Sequence, residues 1–500
     1  MITAITAQLS VLIAQASAPH GSAWLSSLNS NIRVGLVFGR GAVQSFRATA
    51  PDGFIIGEVR SNEPYVFYAQ RFISANQANQ IEVTLMGGGL AVISADTGNI
   101  LHEHSDTQNN LAIIAAHQTS GGVFPSRFDD LSSRTTGFMT TPANNIYPGA
   151  FIYQVNAGGT GIEVINLLCL EDYLKGVVPA EVPSSWEAHA LKAFAITARS
   201  YSVHSIIRSR HTADGFDICN ATHCQLFIGL GRTTERTNAA VSDTRGLVMT
   251  FEGRVIEAVY HSSSGGATEN HNDAWGGIMR YPFLSSVRIP YENYRAPGRH
   301  NSVWTNTASP IELFEYLTGA SPQAALFRGN INSPIADIRI NERSPGSNYI
   351  RSVTVIDSNG NAVTVETSSR VRSAFAIFAP SGNMDIFRSS SRFRAYAATA
   401  AGQAGQSMSI ESGQIYIISA DGTTKAVPSQ LTVMSAGGTQ TVHAYSAAAD
   451  YFVFDGRGWG HGVGLSQWGS QDMALAGHTY DQIVKTFFTG VSIARISDLR

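Results

Sequence analysis

Charge is scarce in this 500-residue sequence, in which 14% of the residues are charged and the formal net charge is −3. The sequence has no run of like charges, so a broad electrostatic reason to bind nucleic acid or an anionic membrane is missing. No stretch approaches 18 consecutive apolar residues, and we therefore expect no transmembrane segment. Lysine and arginine are also absent from Met1 to Ala18, although the apolar run "LSVLIAQASAPH" resembles the end of a secretory signal. We expect residues 1–30 to be either a signal remnant or a disordered tail.

Glycine and apolar residues, unlike charged residues, are abundant in the sequence. The sequence has 47 glycines and a hydrophobic content of 43%, which is typical of turn-rich β structure around globular cores. Short β-like runs such as "IRVGLVFG" and "IEVTLM" alternate with Gly, Asn, Pro and Asp, and this pattern predicts an N-terminal antiparallel β domain at 31–101. The polar stretch 102–146 is predicted to link it to a larger domain.

From residue 147 onward, the sequence pattern predicts helices as well as β hairpins. Gly158-Gly159 and Asn359-Gly360 predict two β hairpins. A short helix is predicted at about 171–178 and a long core helix at about 185–208, with Ser184 and Glu187 forming a capping box. We therefore expect residues 147–500 to form a mixed α+β domain with a β-rich insertion at about 398–450, and the fold class of the whole chain to be α+β.

A single carboxylate, Glu181, stands between two prolines in the apolar segment "VVPAEVPSSW". Pro179 and Pro183 restrict the backbone, so the sequence predicts a rigid, non-helical connector just before the long helix. The positive end of that helix would favour the carboxylate, whereas burial between Val178 and Val182 would favour the neutral acid. Glu181 is therefore either a solvated loop residue or a general acid held for chemistry.

Two cysteines and two histidines lie close together in "HTADGFDICNATHC". His211, Cys219, His223 and Cys224 would supply two imidazoles and two thiolates, which is a complete ligand set for a tetrahedral structural Zn²⁺. A Cys219–Cys224 disulfide in an oxidising compartment and a pair of free thiols are the alternatives.

Polar side chains also occur beside glycines in "YHSSSGG" and "GHGVGLSQWG". Glycines permit a close approach between backbone and ligand, so these segments are candidates for a binding surface, although the glycines could equally serve tight turns. A serine hydrolase is disfavoured because the G-x-S-x-G pattern is missing. The tryptophans Trp275, Trp459 and Trp468 are candidates for stacking on sugar rings, with a role in the core as the alternative.

Four segments, taken in order, resemble the stage II sporulation protein D (SpoIID) and amidase enhancer (LytB) family. They are "LEDYLKGVVPAEVPSSWEAHALKAFAITARSY" at 170–201, "DICNATHCQLFIG" at 217–229, "AVYHSSSGGATEN" at 258–270 and "GWGHGVGLSQWGSQDMALAGHTYDQIVKTFFTGV" at 458–491. The resemblance covers about 147–500. Val182 stands where many relatives have Met, which is a change that keeps an apolar side chain.

The resemblance implies a peptidoglycan lytic transglycosylase in which Glu181 is the single catalytic acid and base. It also implies zinc at the His211–Cys224 cluster and glycan strands as the substrate. The residues expected to bind substrate or to position the acid are Arg199, Tyr201, His261, Ser263, Ser264, His461 and Gln467.

A different class of function is compatible with the same resemblance, because some relatives are known as enhancers of a cell-wall amidase. In that case the chain would bind wall glycan and stimulate a partner amidase without cutting the glycan. A zinc-dependent hydrolase is the third and weakest alternative, because four protein ligands leave no open position for water. Either leading function predicts a bacterial protein that is secreted or associated with the cell wall.

Overall fold

A computed structural model of the chain describes residues 31–106, 108–117, 125–208, 210–277, 281–293, 303–319, 322–389 and 451–499, together with short paired strands between 393 and 443. The predicted signal remnant or tail at 1–30 lies outside these residues. Of the predicted insertion at 398–450, the structure describes strands alone. The combination of helices and several antiparallel sheets confirms the α+β class.

Eight α-helices lie in the described residues. In chain order they are α1 (Leu170–Glu181), α2 (Ala188–Ile207), α3 (Glu235–Asp243), α4 (His271–Trp275), α5 (Pro310–Thr318), α6 (Ser368–Ala374), α7 (Gln467–Leu475) and α8 (Tyr480–Phe487). Among the described helices, none combines the length and the hydropathy that crossing a membrane requires.

The described residues divide into two compact units, of which the first comprises those within 31–259 and 470–499. Its largest sheet has eight strands in the spatial order Ile218–Cys219, Asn31–Val37, Ile162–Cys169, Ala150–Val155, Asn109–Ala115, Gly53–Arg60, Glu63–Ser74 and Arg127–Phe128. A six-stranded sheet has the order Ile146–Tyr147, Met139–Thr140, Ser45–Thr49, Gln80–Met86, Gly89–Ser94 and Ile100–His104. A third sheet contains Arg254–Val255, Leu247–Phe251 and Ser492–Arg495.

Strands from both sides of residue 147 share the eight-stranded sheet. Asn31–Val37 pairs antiparallel with Ile162–Cys169, and on its other side it pairs in parallel with Ile218–Cys219. The hairpin predicted at Gly158-Gly159 is confirmed, because Ala150–Val155 pairs in register with Ile162–Cys169. The first strand that the structure describes, Asn31–Val37, therefore lies directly beside the segment that carries the predicted metal ligands.

The second unit, Tyr260–Gly469, has its own core around α5 and α6. Its sheets contain Val303–Ala308, Tyr451–Arg457 and Met384–Ser389 in one group and Ile335–Arg343, Ile350–Asp357 and Ala362–Glu366 in another. A two-stranded parallel sheet pairs Tyr260–His261 with Leu465–Ser466. The hairpin predicted at Asn359-Gly360 is confirmed by the pairing of Ile350–Asp357 with Ala362–Glu366.

The ends of the first two helices differ from the prediction. Helix α1 continues through Pro179 and ends at Glu181, so Glu181 is the last helical residue and does not lie in a non-helical connector. Helix α2 begins at Ala188 with Glu187 as its N-cap, and no side chain caps it, so the predicted capping box does not form. Burial offsets the missing cap, because α2 is buried on nearly all sides and its stability comes from packing.

Candidate functional site

Glu181 lies half-buried at the C-terminal end of α1. Its Oε1 accepts a hydrogen bond of 2.7 Å from the backbone N–H of Leu226. Val182 and Trp186, which follow it in the chain, are buried. The C-terminal end of a helix carries partial negative charge, so the dipole of α1 opposes the carboxylate, contrary to the sequence expectation of a favourable helix start. The hydrogen bond from the Leu226 N–H has the opposite effect, because it stabilises the charged carboxylate.

The predicted metal ligands come together in the same unit. Ligand atoms of His211, Cys219, His223 and Cys224 all lie within 4.8 Å of one another. The Sγ of Cys224 lies 3.4 Å from Nε2 of His211 and 3.4 Å from Nδ1 of His223, and the Sγ of Cys219 lies 3.7 Å from the same Nδ1. Bond lengths of about 2.3 Å to sulfur and about 2.0 Å to nitrogen place tetrahedral ligands about 3.5 Å apart. The four residues therefore fit a zinc ion.

The surroundings of the cluster are compatible with metal ligation. Both cysteines are free thiols in the structure. Nδ1 of His211 lies 2.9 Å from a carboxylate oxygen of Asp214, an arrangement that orients Nε2 toward Cys224. A carboxylate behind a ligating imidazole is a common outer partner in metal sites. Cys224 also interacts with Tyr201, which is buried, and burial raises the pKa of that phenol.

Gln225 connects the cluster to the two helices that carry Glu181 and its surroundings. It follows Cys224 directly, and its buried Oε1 accepts hydrogen bonds from the hydroxyls of Tyr173 on α1 (3.2 Å) and Ser202 on α2 (2.8 Å). The next residue, Leu226, donates its backbone N–H to the carboxylate of Glu181. Sequence analysis missed Gln225, although its position immediately after a predicted ligand was the available signal.

Arg199, which was predicted to contact substrate or the acid, is fully buried. Its guanidinium forms a bidentate ion pair with Glu171 at 3.0 and 2.9 Å and donates to the carbonyl oxygens of Val241 and Leu247. With its donors directed to these internal partners, Arg199 has the environment of a structural ion pair. This placement favours the alternative of a packed helix residue, and a role of Arg199 in binding substrate or the acid stays a prediction.

The serines of "YHSSSGG" surround a buried carboxylate that sequence analysis did not identify. In the second unit, Glu292 accepts hydrogen bonds from Ser263 Oγ (2.6 Å), from the backbone N–H of Ser264 (2.9 Å) and from Ser264 Oγ. Burial raises the pKa of Glu292. Both serines are buried, so they bind Glu292 in the interior. No local signal marks Glu292, which lies 28 residues beyond Ser264 in the sequence.

The two histidines predicted to bind substrate pack against each other, with ring centroids 5.6 Å apart. His261 is buried; its Nδ1 lies 3.1 Å from the carbonyl oxygen of Val463, and its Nε2 has no hydrogen-bond partner among the described residues. Nδ1 of His461 accepts the Val463 N–H at 3.1 Å. Burial lowers the pKa of His261 to about 4 and that of His461 well below its ordinary value. Gln467, the first residue of α7, is also buried.

Comparison with known proteins confirms the family resemblance. Residues 158–251 match the family model described as "SpoIID: Stage II sporulation protein". The chain is 27% identical over 331 residues to the amidase enhancer of Bacillus subtilis, a match that covers 64% of this chain and 40% of that protein. It is 22% identical over 355 residues to the stage II sporulation protein D of the same organism, covering 67% of this chain and 77% of that protein. It is also 29% identical over 136 residues to the stage II sporulation protein D of Bacillus amyloliquefaciens, a match that covers 25% of this chain and 39% of that protein.

Proposed function

We propose that the chain is a peptidoglycan lytic transglycosylase with Glu181 as its acid and base, on the basis of the match of residues 158–251 to the SpoIID family model. The bond cleaved joins N-acetylmuramic acid to N-acetylglucosamine. One observation carries the proposal: within the matched segment, the carboxylate of Glu181 is half-buried and is held by a backbone N–H. A single oriented carboxyl group of this kind is sufficient for the lytic reaction.

The reaction needs one proton donor and no water. Glu181 gives its proton to the glycosidic oxygen as the bond from that oxygen to C1 of the muramic residue breaks. The C6 hydroxyl oxygen of the same residue then bonds to C1 and closes a 1,6-anhydro ring. Its proton passes to the Glu181 carboxylate, which restores the acid. Hydrolytic glycosidases differ, because most of them use two carboxylates and a water molecule.

The surroundings of Glu181 suit both of its protonation states. The partial negative charge at the C-terminal end of α1 favours the neutral acid before the proton is transferred. The Leu226 N–H favours the carboxylate that exists after transfer. A group balanced between these influences can release and recover a proton within one catalytic cycle.

The metal cluster has a structural role in this proposal. His211, Cys219, His223 and Cys224 would hold Zn²⁺ with no open position, so the metal would supply rigidity and no chemistry of its own. Gln225 and Leu226 directly follow the last ligand, so a rigid cluster would fix their positions. Their hydrogen bonds to α1 and α2 and to the Glu181 carboxylate would then hold Glu181 in place. The reaction itself requires no cofactor.

The second candidate function is that of a non-catalytic glycan-binding enhancer of a cell-wall amidase. The similarity to a protein named amidase enhancer favours it. Both candidates place the protein outside the cytoplasm of a bacterium, either secreted or bound to the wall, with glycan strands as a partner.

Mass spectrometry of peptidoglycan separates the two candidates. Intact and amidase-stripped peptidoglycan would be incubated with wild type, Glu181→Gln and the matched control Glu187→Gln. Glu187 is an exposed carboxylate six residues away, at the N-cap of α2. We expect anhydromuramic products from wild type and from the control, and none from Glu181→Gln. Reducing-end products would instead show hydrolysis, and glycan binding without any product would favour the enhancer function.

Metal analysis of the purified protein tests the cluster independently. We expect one zinc per chain in wild type and in Cys169→Ala, whose cysteine lies outside the cluster, and a loss of zinc in Cys219→Ser. A metal-free wild type with one titratable thiol in place of three would show the Cys219–Cys224 disulfide. A metal-free wild type with three titratable thiols would show free cysteines.

A further inference from the structure

Two tryptophans of the second unit expose much of their indole surface. Trp275 is 40% exposed and Trp459 is 42% exposed. Of the other described tryptophans, Trp186 and Trp304 are buried, and Trp468 is half-buried. An exposed indole that packing does not require is a binding candidate, because its flat apolar face is available to a ligand.

Trp275 is held between two imidazoles. It is the last residue of α4, and its ring lies 5.1 Å from the ring of His461 and 5.1 Å from that of His271, measured between centroids. His271 in turn packs against Tyr281 at 4.3 Å. His461 is itself fixed by the hydrogen bond from the Val463 N–H. The orientation of the Trp275 ring is therefore set before any ligand arrives.

Trp459 is fixed through its backbone, two residues before His461. Its N–H donates to the Ser263 carbonyl at 2.8 Å, and its carbonyl accepts the Ser263 N–H at 3.1 Å. Gly458 and Gly460 flank it with φ of +83° and +104°, a region that favours glycine. A Cβ at Gly458 would lie 2.8 Å from the Ser263 carbonyl oxygen, so the close approach of the two segments requires glycine there. We call Trp275, Trp459 and His461 the aromatic patch.

The side chains of the aromatic patch are themselves uncharged, although the guanidinium of Arg372 acts electrostatically on His461. His261 and His461 are neutral at neutral pH, because burial lowers both pKa values. The acid on α4, Asp273, is paired with Arg351 at 3.0 Å. Nε2 of His261, which packs against His461, is a buried acceptor without a partner among the described residues. Two exposed indole faces beside an imidazole suit an uncharged sugar ring, whose apolar face can stack on an indole.

We propose that the aromatic patch is a carbohydrate-binding subsite in which the indoles of Trp275 and Trp459 stack on N-acetylhexosamine rings of a glycan chain. The inference rests on the proposed function for its ligand class and deepens it by naming residues of the second unit that bind the glycan. His461 acts as a positioning residue that supports Trp275. The subsite contributes affinity and carries out no chemistry.

Binding of a soluble N-acetylglucosamine tetramer, followed by calorimetry and tryptophan fluorescence, tests the proposal on the full chain. We expect Trp275→Ala and Trp459→Ala each to weaken binding roughly tenfold, as expected from the loss of one stacked aromatic face. Trp275→Phe, which keeps a ring, should lose less. Ile377→Ala is the matched control, because Ile377 is a 64% exposed apolar residue of the same unit outside the aromatic patch.

Glu181→Gln separates this proposal from the proposed function. It should retain full tetramer binding even when it cleaves nothing, and in a cleaving wild type the tryptophan variants should raise KM with little change in kcat. Unchanged affinity in both alanine variants, or no tetramer binding by wild type up to millimolar concentration, would overturn the subsite. Circular dichroism shows whether each variant folds, and if Trp275→Ala does not, Trp459→Ala and Trp275→Phe decide the question.

Discussion

Replacing Arg199 with methionine would remove a fully buried cation from between α1, α2 and α3. The substitution keeps an unbranched apolar stem of similar length, so its main effect is electrostatic. Glu171, which is also buried, would lose its bidentate partner, and among the described residues it would keep the Gly246 N–H at 3.2 Å as a donor. An uncompensated carboxylate would then remain in the interior.

The expected loss of stability comes from this uncompensated buried carboxylate. Breaking a buried ion pair by removing one partner destabilises a protein by about 3–5 kcal/mol. The carbonyl oxygens of Val241 and Leu247 also lose a charged donor, at about 1 kcal/mol each. We therefore expect Arg199→Met to lower the free energy of unfolding of the first unit by about 5–7 kcal/mol.

Urea unfolding combined with hydrogen exchange of the α1 and α2 amides measures this loss within one unit, since two units need not unfold together. Arg199→Met/Glu171→Gln should recover about half of the loss, because the unpaired charge is gone. Arg47→Met is the control: Arg47 pairs with Glu82 on the surface of the same unit, and its loss should cost less than about 1 kcal/mol.

A small effect would refute the structural role of Arg199. If Arg199→Met stayed within about 1 kcal/mol of wild type while glycan cleavage or binding fell, Arg199 would be a substrate-contacting residue, as the sequence alone had suggested. If the double variant were as unstable as the single one, the loss would come from packing and not from the unpaired carboxylate.

Two further predictions concern single positions. Burial raises the pKa of Glu269 to about 7, so folding favours its protonated form and stability should fall as pH rises from about 4.5 to 7. Glu269→Gln should remove that slope and gain on the order of 3 kcal/mol relative to wild type by pH 8, and parallel pH profiles would contradict the assignment. Gly176→Ala places a Cβ 2.5 Å from the ring of Phe227 and should cost about 1–3 kcal/mol in urea unfolding. Gly231→Ala meets nothing within 4 Å and should be neutral, so equal effects of the two alanines would contradict the packing argument.

Features encoded within short stretches were predictable. The hairpins at Gly158-Gly159 and Asn359-Gly360 follow from two-residue turn signals and were confirmed. The metal ligands span only residues 211–224, so loop closure alone brings them near one another, and the structure gathers all four. The capping box at Ser184 failed for the opposite reason, because packing of α2 outweighed a local cap.

The sequence by itself determined the α+β class, the long helix, the ligand set of the metal cluster and the prominence of Glu181, because each is expressed in local patterning or in motifs. Only the tertiary structure decided which of the polar residues are accessible. The Arg199–Glu171 pair spans 28 residues and joins two helices, and Glu292 reaches Ser263 from 29 residues away. The sequence does not distinguish a charged side chain that faces solvent from one that pairs with a buried partner. Which of the two occurs depends on how distant segments pack together.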